Sequence, residues 1–256
     1  MPSVPLRTLL SSAGRLINGW CSLPCAYAAE ILSHQGYDTL TIDMQHGAMG
    51  YDTAFAMLQA IGNGRATPLV RVPWHDPGLM MRMLDAGAMG LICPMVDTPA
   101  DAETFVRACR YPPRGSRSFG PNRAVLASGA ASSTDYAARA QDEIALFAMI
   151  ETKAGLDNLG AILQVDGLDG VYVGPGDLSL ALGAAASMAP RDATVLAAMA
   201  TIRVQAKAAG RIVAVHTDGP ETARQRFAEG FDICTLQNDA RLLADAARAQ
   251  AAAARG

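Results

Sequence analysis

Two acidic residues occupy positions where they could bind one divalent cation. Glu151 directly follows the apolar run Ala145–Ile150, and Asp177 follows the run Gly170–Val173 after a short Gly-Pro-Gly turn. The stretch between the runs has helical spacing, and a strand, helix, strand unit of this length makes parallel strands, so both carboxylates emerge at one sheet edge. Two carboxylates side by side repel each other unless a cation lies between them. The sequence therefore predicts a divalent-metal site with Glu151 and Asp177 as ligands.

Four more polar residues follow other apolar runs and could take part in chemistry at the same edge. Asp43 and His46 follow the second run, where the carboxylate could orient the imidazole and raise its basicity. Arg71 ends the third run, where a fixed guanidinium could stabilise a carboxylate or an enolate. His216 ends the seventh run and could either line a pocket or pack in the rim. We expect all of these side chains to face one opening at that edge of the sheet, the mouth of the site.

Each of these positions also has a purely structural interpretation. His46 could be a hydrogen-bonded structural residue, Asp43 a turn former, and Arg71 a brace of the rim. Glu151 and Asp177 could both be helix N-caps. The functional interpretation is favoured because the five positions converge by register.

Short apolar runs alternate with longer amphipathic stretches along the whole chain. Eight runs are predicted to be strands: Leu16–Leu23, Thr39–Asp43, Thr67–Val72, Gly90–Val96, Ala145–Ile150, Gly170–Val173, Arg211–His216 and Phe231–Leu236. Helical patterns lie at about Ala26–Gln35, Asp52–Gly62, Pro77–Ala86, Thr98–Cys109, Leu156–Val165, Pro190–Ala209, Pro220–Ala228 and Asp239–Ala254. Runs that are apolar throughout are typical of parallel strands buried on both faces, and eight such units close into a (β/α)8 TIM barrel. A doubly wound open sheet is the alternative, but the first strand lacks a Gly-x-Gly-x-x-Gly turn.

Length and composition favour one domain over residues 1–256. Half of the residues are hydrophobic and 18% are charged, which suits a large buried core. The net charge of −3 argues against nucleic acid or an anionic membrane as a partner. No apolar run approaches the ~18 residues that a membrane helix needs. Five cysteines without Cys-x-x-Cys spacing are typical of reduced, mostly buried thiols in a cytoplasmic protein.

One long segment interrupts the alternation of strands and helices. Arg110–Thr134 is rich in Gly, Pro, Ser and Arg, and loops of this length in a compact domain are usually functional or disordered. Its arginines could be solvated surface charges, or as a group they could receive an anionic substrate or a neighbouring subunit: Arg110, Arg114, Arg117 and Arg123.

Five motifs follow one another in order along the chain: IDMQHG (Ile42–Gly47), VRVPW (Val70–Trp74), YPPRGSRSFGP (Tyr111–Pro121), IET (Ile150–Thr152) and GLDGVYVGPGDLSLALG (Gly167–Gly183). With this ordered set the chain resembles, from about Asn18 to the C-terminus, the HpcH/HpaI aldolases. These are class II, pyruvate-dependent enzymes that include 4-hydroxy-2-oxoheptanedioate and 2-keto-3-deoxy-sugar-acid aldolases. It implies a phosphoenolpyruvate/pyruvate-type barrel and a homo-hexamer, a trimer of dimers, with the last helix exchanged between subunits. It also implies a divalent ion such as Mg²⁺, Mn²⁺ or Co²⁺, no organic cofactor, and a role in aromatic compound catabolism.

The resemblance also implies a role for each matching residue. Glu151 and Asp177 would hold the metal, and Gly176 would join Asp177 in the pyruvate pocket. His46 would be the general base and Asp43 its partner.

Three further residues receive roles in the same way. Arg71 would stabilise the enolate. Asp85 matches an acid that raises the basicity of the catalytic histidine across a subunit boundary, and Trp20 matches a tryptophan near the mouth of the site.

Two positions depart from the family pattern. Met149 stands at a substrate-binding position where some members have glutamine, and Gln45 stands where others have glutamate. Both departures bear on the identity of the substrate more than on the reaction.

These residues predict the reversible cleavage of a 4-hydroxy-2-oxo acid to pyruvate and an aldehyde. A Schiff-base route would need a desolvated lysine at a strand end. Neither Lys153, close behind Glu151, nor the helical Lys207 suits that role. An acyl-CoA lyase, a phosphoenolpyruvate enzyme and a non-catalytic barrel that binds a 2-oxo acid are the alternatives. We interpret His34 and His75 as surface residues.

Overall fold

The structure, a computed structural model, describes residues 3–255, in which parallel strands form one closed barrel in chain order. The strands are β1 (Leu16–Cys21), β2 (Thr39–Asp43), β3 (Thr67–Arg71), β4 (Gly90–Cys93), β5 (Ala145–Ile150), β6 (Gly170–Val173), β7 (Ile212–His216) and β8 (Ile233–Asn238). Every residue of β2 to β6 is buried, as expected for strands covered on both faces. The predicted (β/α)8 barrel is confirmed, and the open sheet is excluded because β1 pairs with β8.

Helices cover the outside of the barrel and precede or follow its strands. They are α1 (Leu6–Ala13), α2 (Ala26–Ser33), α3 (Tyr51–Ile61), α4 (Pro77–Asp85), α5 (Pro99–Cys109), α6 (Asn122–Ser128), α7 (Ser133–Glu143), α8 (Lys153–Asp157), α9 (Leu159–Ile162), α10 (Pro175–Ala181), α11 (Ala193–Ala208), α12 (Pro220–Glu229) and α13 (Asp239–Ala253). Side-chain caps explain where many of these helices begin. For example, Thr98 and Asp101 form a capping box at the start of α5.

The structure corrects several predicted helices. The single crossover helix Leu156–Val165 is instead the pair α8 and α9, which meet at Asn158, where the side-chain amide binds the carbonyl of Asp97. The helix predicted from Pro190 begins only after Asp192, whose carboxylate caps the backbone N–H groups of the first turn of α11. Sequence patterns did not predict α1, α6, α7 or α10.

Two apolar clusters form the core. One lies between the strands and the surrounding helices, and the other fills the barrel interior. Leu6 of α1 is fully buried in the interior cluster beside Leu16, so α1 closes the N-terminal end of the barrel. Four of the five cysteines are buried and Cys25 is exposed, and all are free thiols. No helix within residues 3–255 combines the length and apolar character required to cross a membrane.

A buried ion cluster lies at the N-terminal end of β6. Asp169 accepts hydrogen bonds from Arg110 Nη2 (2.8 Å), Arg7 Nε (3.1 Å) and the backbone N–H of Leu146 (2.8 Å). Arg110 is 3% exposed and also donates to the carbonyl of Ile144 (3.0 Å). The cluster ties α1 and the end of α5 to the base of the barrel, opposite the strand ends that carry the predicted site.

Asp169→Ala should lower the free energy of unfolding by about 3–5 kcal/mol, because it leaves the buried Arg110 guanidinium without its counter-ion. Urea unfolding followed by circular dichroism measures this change. Asp166→Ala, at an exposed carboxylate nearby in the chain, is the control and should change stability by less than about 0.5 kcal/mol. A loss below about 1 kcal/mol for Asp169→Ala would contradict the structural importance of the cluster.

Candidate active site

Glu151 is a buried carboxylate at the C-terminal end of β5, with 1% of its surface exposed. Its Oε1 accepts the backbone N–H of Met95 (2.9 Å), while its Oε2 is buried and has no hydrogen-bond partner among the described residues. Burial raises the pKa of Glu151 to about 7; the Met95 N–H opposes this rise and the charge of Asp177 adds to it. An unpartnered buried oxygen of this kind is costly unless something else binds it.

Asp177 stands on the first turn of α10, where the helix dipole favours a negative charge. Unlike Glu151 it is exposed. The lack of a side chain at Gly174 lets this oxygen lie against the backbone, because a Cβ there would lie 2.3 Å from Glu151 Oε2. Magnesium commonly binds through one or two carboxylates, with substrate oxygens and water completing its coordination. The residues present therefore fit a divalent cation, although no cluster of three or more His, Cys, Asp or Glu suited to a metal occurs within residues 3–255.

Arg71 and Asp43 lie opposite each other in the register of β3 and β2. Arg71 donates from Nε to Asp43 Oδ1 (2.9 Å) and from Nη2 to Asp43 Oδ2 (2.7 Å), a bidentate pair buried in the mouth. Burial alone would raise the pKa of Asp43, but the Arg71 guanidinium holds it below its ordinary value. The remaining nitrogen, Nη1, has only the sulfur of Met149 (3.9 Å) as a hydrogen-bond partner in the described part of the chain. This pairing leaves one edge of the guanidinium available for an anion.

The expected contact between Asp43 and the His46 imidazole is not present. Asp43 Oδ1 instead accepts the backbone N–H groups of Gln45 (3.0 Å) and His46 (3.3 Å), while both oxygens also bind Arg71. The Asp43 carboxylate binds Arg71 because these two residues are paired in the register of β2 and β3. The tight turn after β2 directs the backbone N–H groups of Gln45 and His46 toward the same carboxylate. Asp43 therefore fixes the backbone at His46, and the imidazole lies on an exposed turn at the same end of the barrel.

An aromatic group lies beneath these charges. Trp20 of β1 is 3% exposed, donates from Nε1 to Asp43 Oδ2 (3.2 Å) and stacks under the Arg71 guanidinium at 4.8 Å. His216, at the end of β7, meets Trp20 edge to face at 4.9 Å. Burial lowers the pKa of His216 to about 4, and the nearby positive charge of Arg71 acts in the same direction. His216 is therefore a neutral group in the mouth at physiological pH.

Met149 and Gly176 lie close in the chain to the two predicted metal ligands, Glu151 and Asp177. The methyl group of Met149 packs close to Gly174, since a Cβ at Gly174 would lie 2.9 Å from it. Gly176 is buried under Met188, whose methyl group would lie 3.1 Å from a Cβ at Gly176. The pocket wall here is apolar, and the missing glutamine amide at position 149 is replaced by a sulfur.

Asp85 lies at the other end of the barrel, at the C-terminus of α4. It pairs with Arg117 (2.6 Å), and burial raises the pKa of Asp85 while the guanidinium opposes the rise. Because α4 runs back to the N-terminal edge of the sheet before β4, Asp85 cannot act on His46 of its own subunit. A role across a subunit boundary stays a prediction.

The arginine-rich segment also lies away from the mouth. It contains α6 and the start of α7, and its arginines form internal contacts at the N-terminal end of the barrel: Arg110 with Asp169, Arg114 with Asp142, Arg117 with Asp85, and Arg123 with the carbonyls of Leu58 and Ala86. These arginines therefore do not reach the mouth of their own subunit, and a role of the group in receiving an anionic substrate or a neighbouring subunit stays a prediction. At this edge of the barrel each outer helix ends and the next strand begins. The long connection between the end of α5 and the start of β5 therefore lies here.

Two residues beside the site were missed by sequence reasoning. Met95 has a φ of 53°, a left-handed conformation that costs a non-glycine residue on the order of 1–3 kcal/mol. His75, interpreted as a surface residue, is only 21% exposed and lies 2.8 Å from the carbonyl of Pro94. No residue type or spacing in the sequence predicts the left-handed conformation of Met95 or the contact between His75 and Pro94, because both depend on backbone geometry between neighbouring loops.

Comparisons with known proteins define the class to which this barrel belongs. The structure superposes on that of an HpcH/HpaI aldolase/citrate lyase family protein from Burkholderia cenocepacia with a TM-score of 0.86. The two sequences are 33% identical, and the match covers 94% of this chain and 95% of that chain. Macrophomate synthase superposes with a TM-score of 0.88 at 25% identity, over 100% of this chain and 91% of that chain. The fold is the (β/α)8 barrel of these solved proteins.

The sequence places the chain within a family. Residues 17–246 match the HpcH/HpaI aldolase/citrate lyase family, and the chain belongs to it. It is 43% identical over 250 residues to a hydroxypyruvate/pyruvate aldolase of Rhizorhabdus wittichii, with 98% of each protein covered. It is 38% identical over 241 residues to a 4-hydroxy-2-oxo-heptane-1,7-dioate aldolase of Salmonella dublin, covering 94% of this chain and 90% of the relative. The predicted family is confirmed, and with it a class II aldolase.

The depressed pKa of His216 should make stability depend on pH. An unfolded histidine titrates near pH 6.5, so between about pH 6.5 and 4 the unfolded chain binds more protons and the free energy of unfolding falls as pH falls. From about pH 7 to pH 4.5 this group should account for a loss of about 2 kcal/mol. Urea unfolding at both pH values should show that His216→Asn loses about 2 kcal/mol less than the wild type on acidification.

The matched control is His34→Asn, because His34 is an exposed histidine at the end of α2. This variant should lose as much stability as the wild type over the same pH interval. If His216→Asn and the wild type lose stability equally, His216 is not held neutral by its surroundings.

Proposed function

We propose that this protein is a divalent-metal-dependent class II aldolase that reversibly cleaves a 4-hydroxy-2-oxo acid to pyruvate and an aldehyde. The observation that carries the proposal is the unpartnered buried oxygen of Glu151 near Asp177, in the same mouth as the free Nη1 of Arg71. A cation site and an anion site in one mouth suit a substrate that carries a carboxylate beside a carbonyl. The names of the two relatives support the same reaction class.

Glu151 and Asp177 would hold the cation. When bound, a divalent cation supplies Lewis-acid polarisation of the 2-oxo group and positive charge for the adjacent carboxylate. Glu151 is suited to this because Met95 fixes Oε1 and leaves Oε2 without a hydrogen-bond partner among the described residues. Mg²⁺, Mn²⁺ and Co²⁺ all accept such oxygen ligands.

His46 would accept the proton of the C4 hydroxyl group. Its exposed imidazole lies on the turn after β2, and Asp43 holds the backbone of that turn. As the proton leaves, the C4–O bond becomes the carbonyl of the departing aldehyde, and the electron pair of the C3–C4 bond passes to the pyruvate fragment. Protonation at C3 then gives pyruvate.

Arg71 would stabilise the negative charge that develops on the pyruvate enolate. Its Nε and Nη2 are committed to Asp43, which keeps the planar group from rotating, while Nη1 stays free. A donor held in position before the reaction needs no reorganisation as the charge forms, which is the basis of electrostatic preorganisation.

The rest of the mouth bears on the substrate. Trp20, Met149 and Gly176 would contact the 2-oxo acid, and the neutral His216 would contact the aldehyde. Pyruvate or hydroxypyruvate would be the nucleophile, as the names of the relatives suggest. The acyl-CoA alternative would need a basic surface that accommodates adenine, and its candidate, the Arg110–Arg123 loop, lies at the other end of the barrel within its own subunit.

A homo-hexamer, arranged as a trimer of dimers, is also part of the proposal. Only Asp239 of α13 is buried among the described residues of that helix, and Leu243 is 63% exposed, which suits a helix that packs on another subunit. The free, mostly buried cysteines suit the proposed cytoplasmic location.

Removal of divalent metal should abolish pyruvate release from 4-hydroxy-2-oxo acids, and Mg²⁺, Mn²⁺ or Co²⁺ should restore it. A coupled lactate dehydrogenase assay on chelator-treated protein measures this. Glu151→Gln should lower kcat/KM by on the order of 10²-fold or more, because it removes a charged ligand. Glu103→Gln, at an exposed carboxylate of α5, is the control and should keep wild-type activity. Metal-independent pyruvate release, or no release from any such acid, would exclude the proposal.

Arg71→Lys should lower kcat by ~10²–10³-fold, because a lysine cannot pair with both oxygens of Asp43 and still donate to the enolate. Steady-state kinetics in saturating metal measure the change. Arg114→Lys alters an exposed pair with Asp142 and should leave kcat unchanged. Near-wild-type kcat for Arg71→Lys would mean that the guanidinium does not stabilise the reacting centre.

A further inference from the structure

We propose that His75 is a positioning residue for Glu151, acting through the loop that joins β4 to α5. The inference rests on the proposed function, because it gives His75 a part in setting the affinity of the metal site. His75 itself lies after β3 and touches neither Glu151 nor Asp177 in any hydrogen bond among the described residues. Its influence would pass through Pro94 and Met95.

The conformation of Met95 directs its N–H at Glu151. With a φ of 53°, Met95 is the only described non-glycine residue in the left-handed region. Its N–H donates to Glu151 Oε1 at 2.9 Å, and Oε2 then lies against Gly174, where a Cβ would be 2.3 Å from it. If Met95 relaxed to an ordinary φ, this hydrogen bond would be lost and the carboxylate could rotate away from the cation.

His75 holds the peptide immediately before Met95. Its Nε2 lies 2.8 Å from the carbonyl oxygen of Pro94, so this nitrogen must carry the proton and donate. Its Nδ1 lies 3.9 Å from Asp101 Oδ1, and its ring stacks on Trp74 at 5.7 Å. Asp101 belongs to the capping box of α5, so the imidazole connects the β3 loop with the start of α5.

The other half of the loop is held from the opposite side. The N–H of Val96 donates to the carbonyl of Met149 (3.3 Å), and Asn158 Nδ2 donates to the carbonyl of Asp97 (2.8 Å). Asp97 also accepts the hydroxyl of Thr152. These contacts fix residues 96 and 97 but not the Pro94 carbonyl, which otherwise has only the weak Cys93 thiol donor at 3.9 Å among the described residues. His75 therefore supplies the main restraint on the strained side of the loop.

The test is Mn²⁺ binding without substrate, measured by isothermal titration calorimetry and by electron paramagnetic resonance of free Mn²⁺. His75→Ala should raise the Kd by ~10–100-fold, the usual effect of losing a group that orients a metal ligand. His75→Gln keeps an Nε2 donor and should restore the Kd to within about threefold of wild type. His34→Ala is the matched control at an exposed histidine and should bind like the wild type.

A second pair of variants tests the route through Met95. Glycine adopts the left-handed conformation without strain, so the loop should depend less on His75 once Met95→Gly is present. The loss of affinity caused by His75→Ala should therefore shrink several-fold in the Met95→Gly background. A purely structural role of His75 would give the same loss in both backgrounds.

The outcomes separate this inference from the proposed function. If wild-type protein binds no Mn²⁺, the proposed metal-dependent function fails. If the wild type binds Mn²⁺ and folded His75→Ala binds it with a Kd within twofold, or if Met95→Gly leaves the effect unchanged, the positioning role is overturned while the proposed function stands.

Discussion

A buried carboxylate with only one of its two oxygens bonded is the feature around which the mouth of this barrel is arranged. A buried ion without compensation is destabilising by several kcal/mol, as a general estimate for protein interiors, and within residues 3–255 Glu151 accepts a hydrogen bond only from the N–H of Met95. The raised pKa of Glu151 expresses that cost. A bound cation would keep the carboxylate ionised, and Gly174 leaves room for Oε2 itself, since a Cβ there would lie 2.3 Å from this oxygen. The same burial that disfavours the free carboxylate would strengthen its attraction to a bound cation.

The pairing of Asp43 with Arg71 provides the complementary positive group. Strand register places the two residues side by side, and the bidentate geometry uses two of the three nitrogens of the guanidinium. Trp20 supports both members from below, through a hydrogen bond to Asp43 and a stacked face under Arg71. The strands of the barrel thus hold the free edge of Arg71 in place. A side chain on a strand is positioned more precisely for binding an anion than a side chain on a loop.

The two ends of the barrel have separate tasks. The C-terminal end carries Glu151, Asp177, Arg71, His46 and His216. The N-terminal end carries ion pairs such as Asp169 with Arg110 that tie helices to the strands. This division is usual for (β/α)8 barrels, in which the loops after the strands can vary without loss of the core. It also explains why the arginine-rich segment, which sequence reasoning could connect to substrate, instead serves stability within its own subunit.

The amino-acid sequence by itself determined the barrel, because eight buried apolar runs in alternation with helical stretches leave few other ways to cover both faces of a sheet. It also determined which end holds Glu151, Asp177, Arg71 and His216, since residues that follow parallel strands share an edge. Only the tertiary structure decided that Asp43 binds Arg71 rather than the His46 imidazole, that Asp85 lies at the opposite end, and that Met95 orients Glu151. These outcomes depend on strand register, on the direction of each helix and on the backbone conformation of one loop residue, none of which residue type and spacing specify.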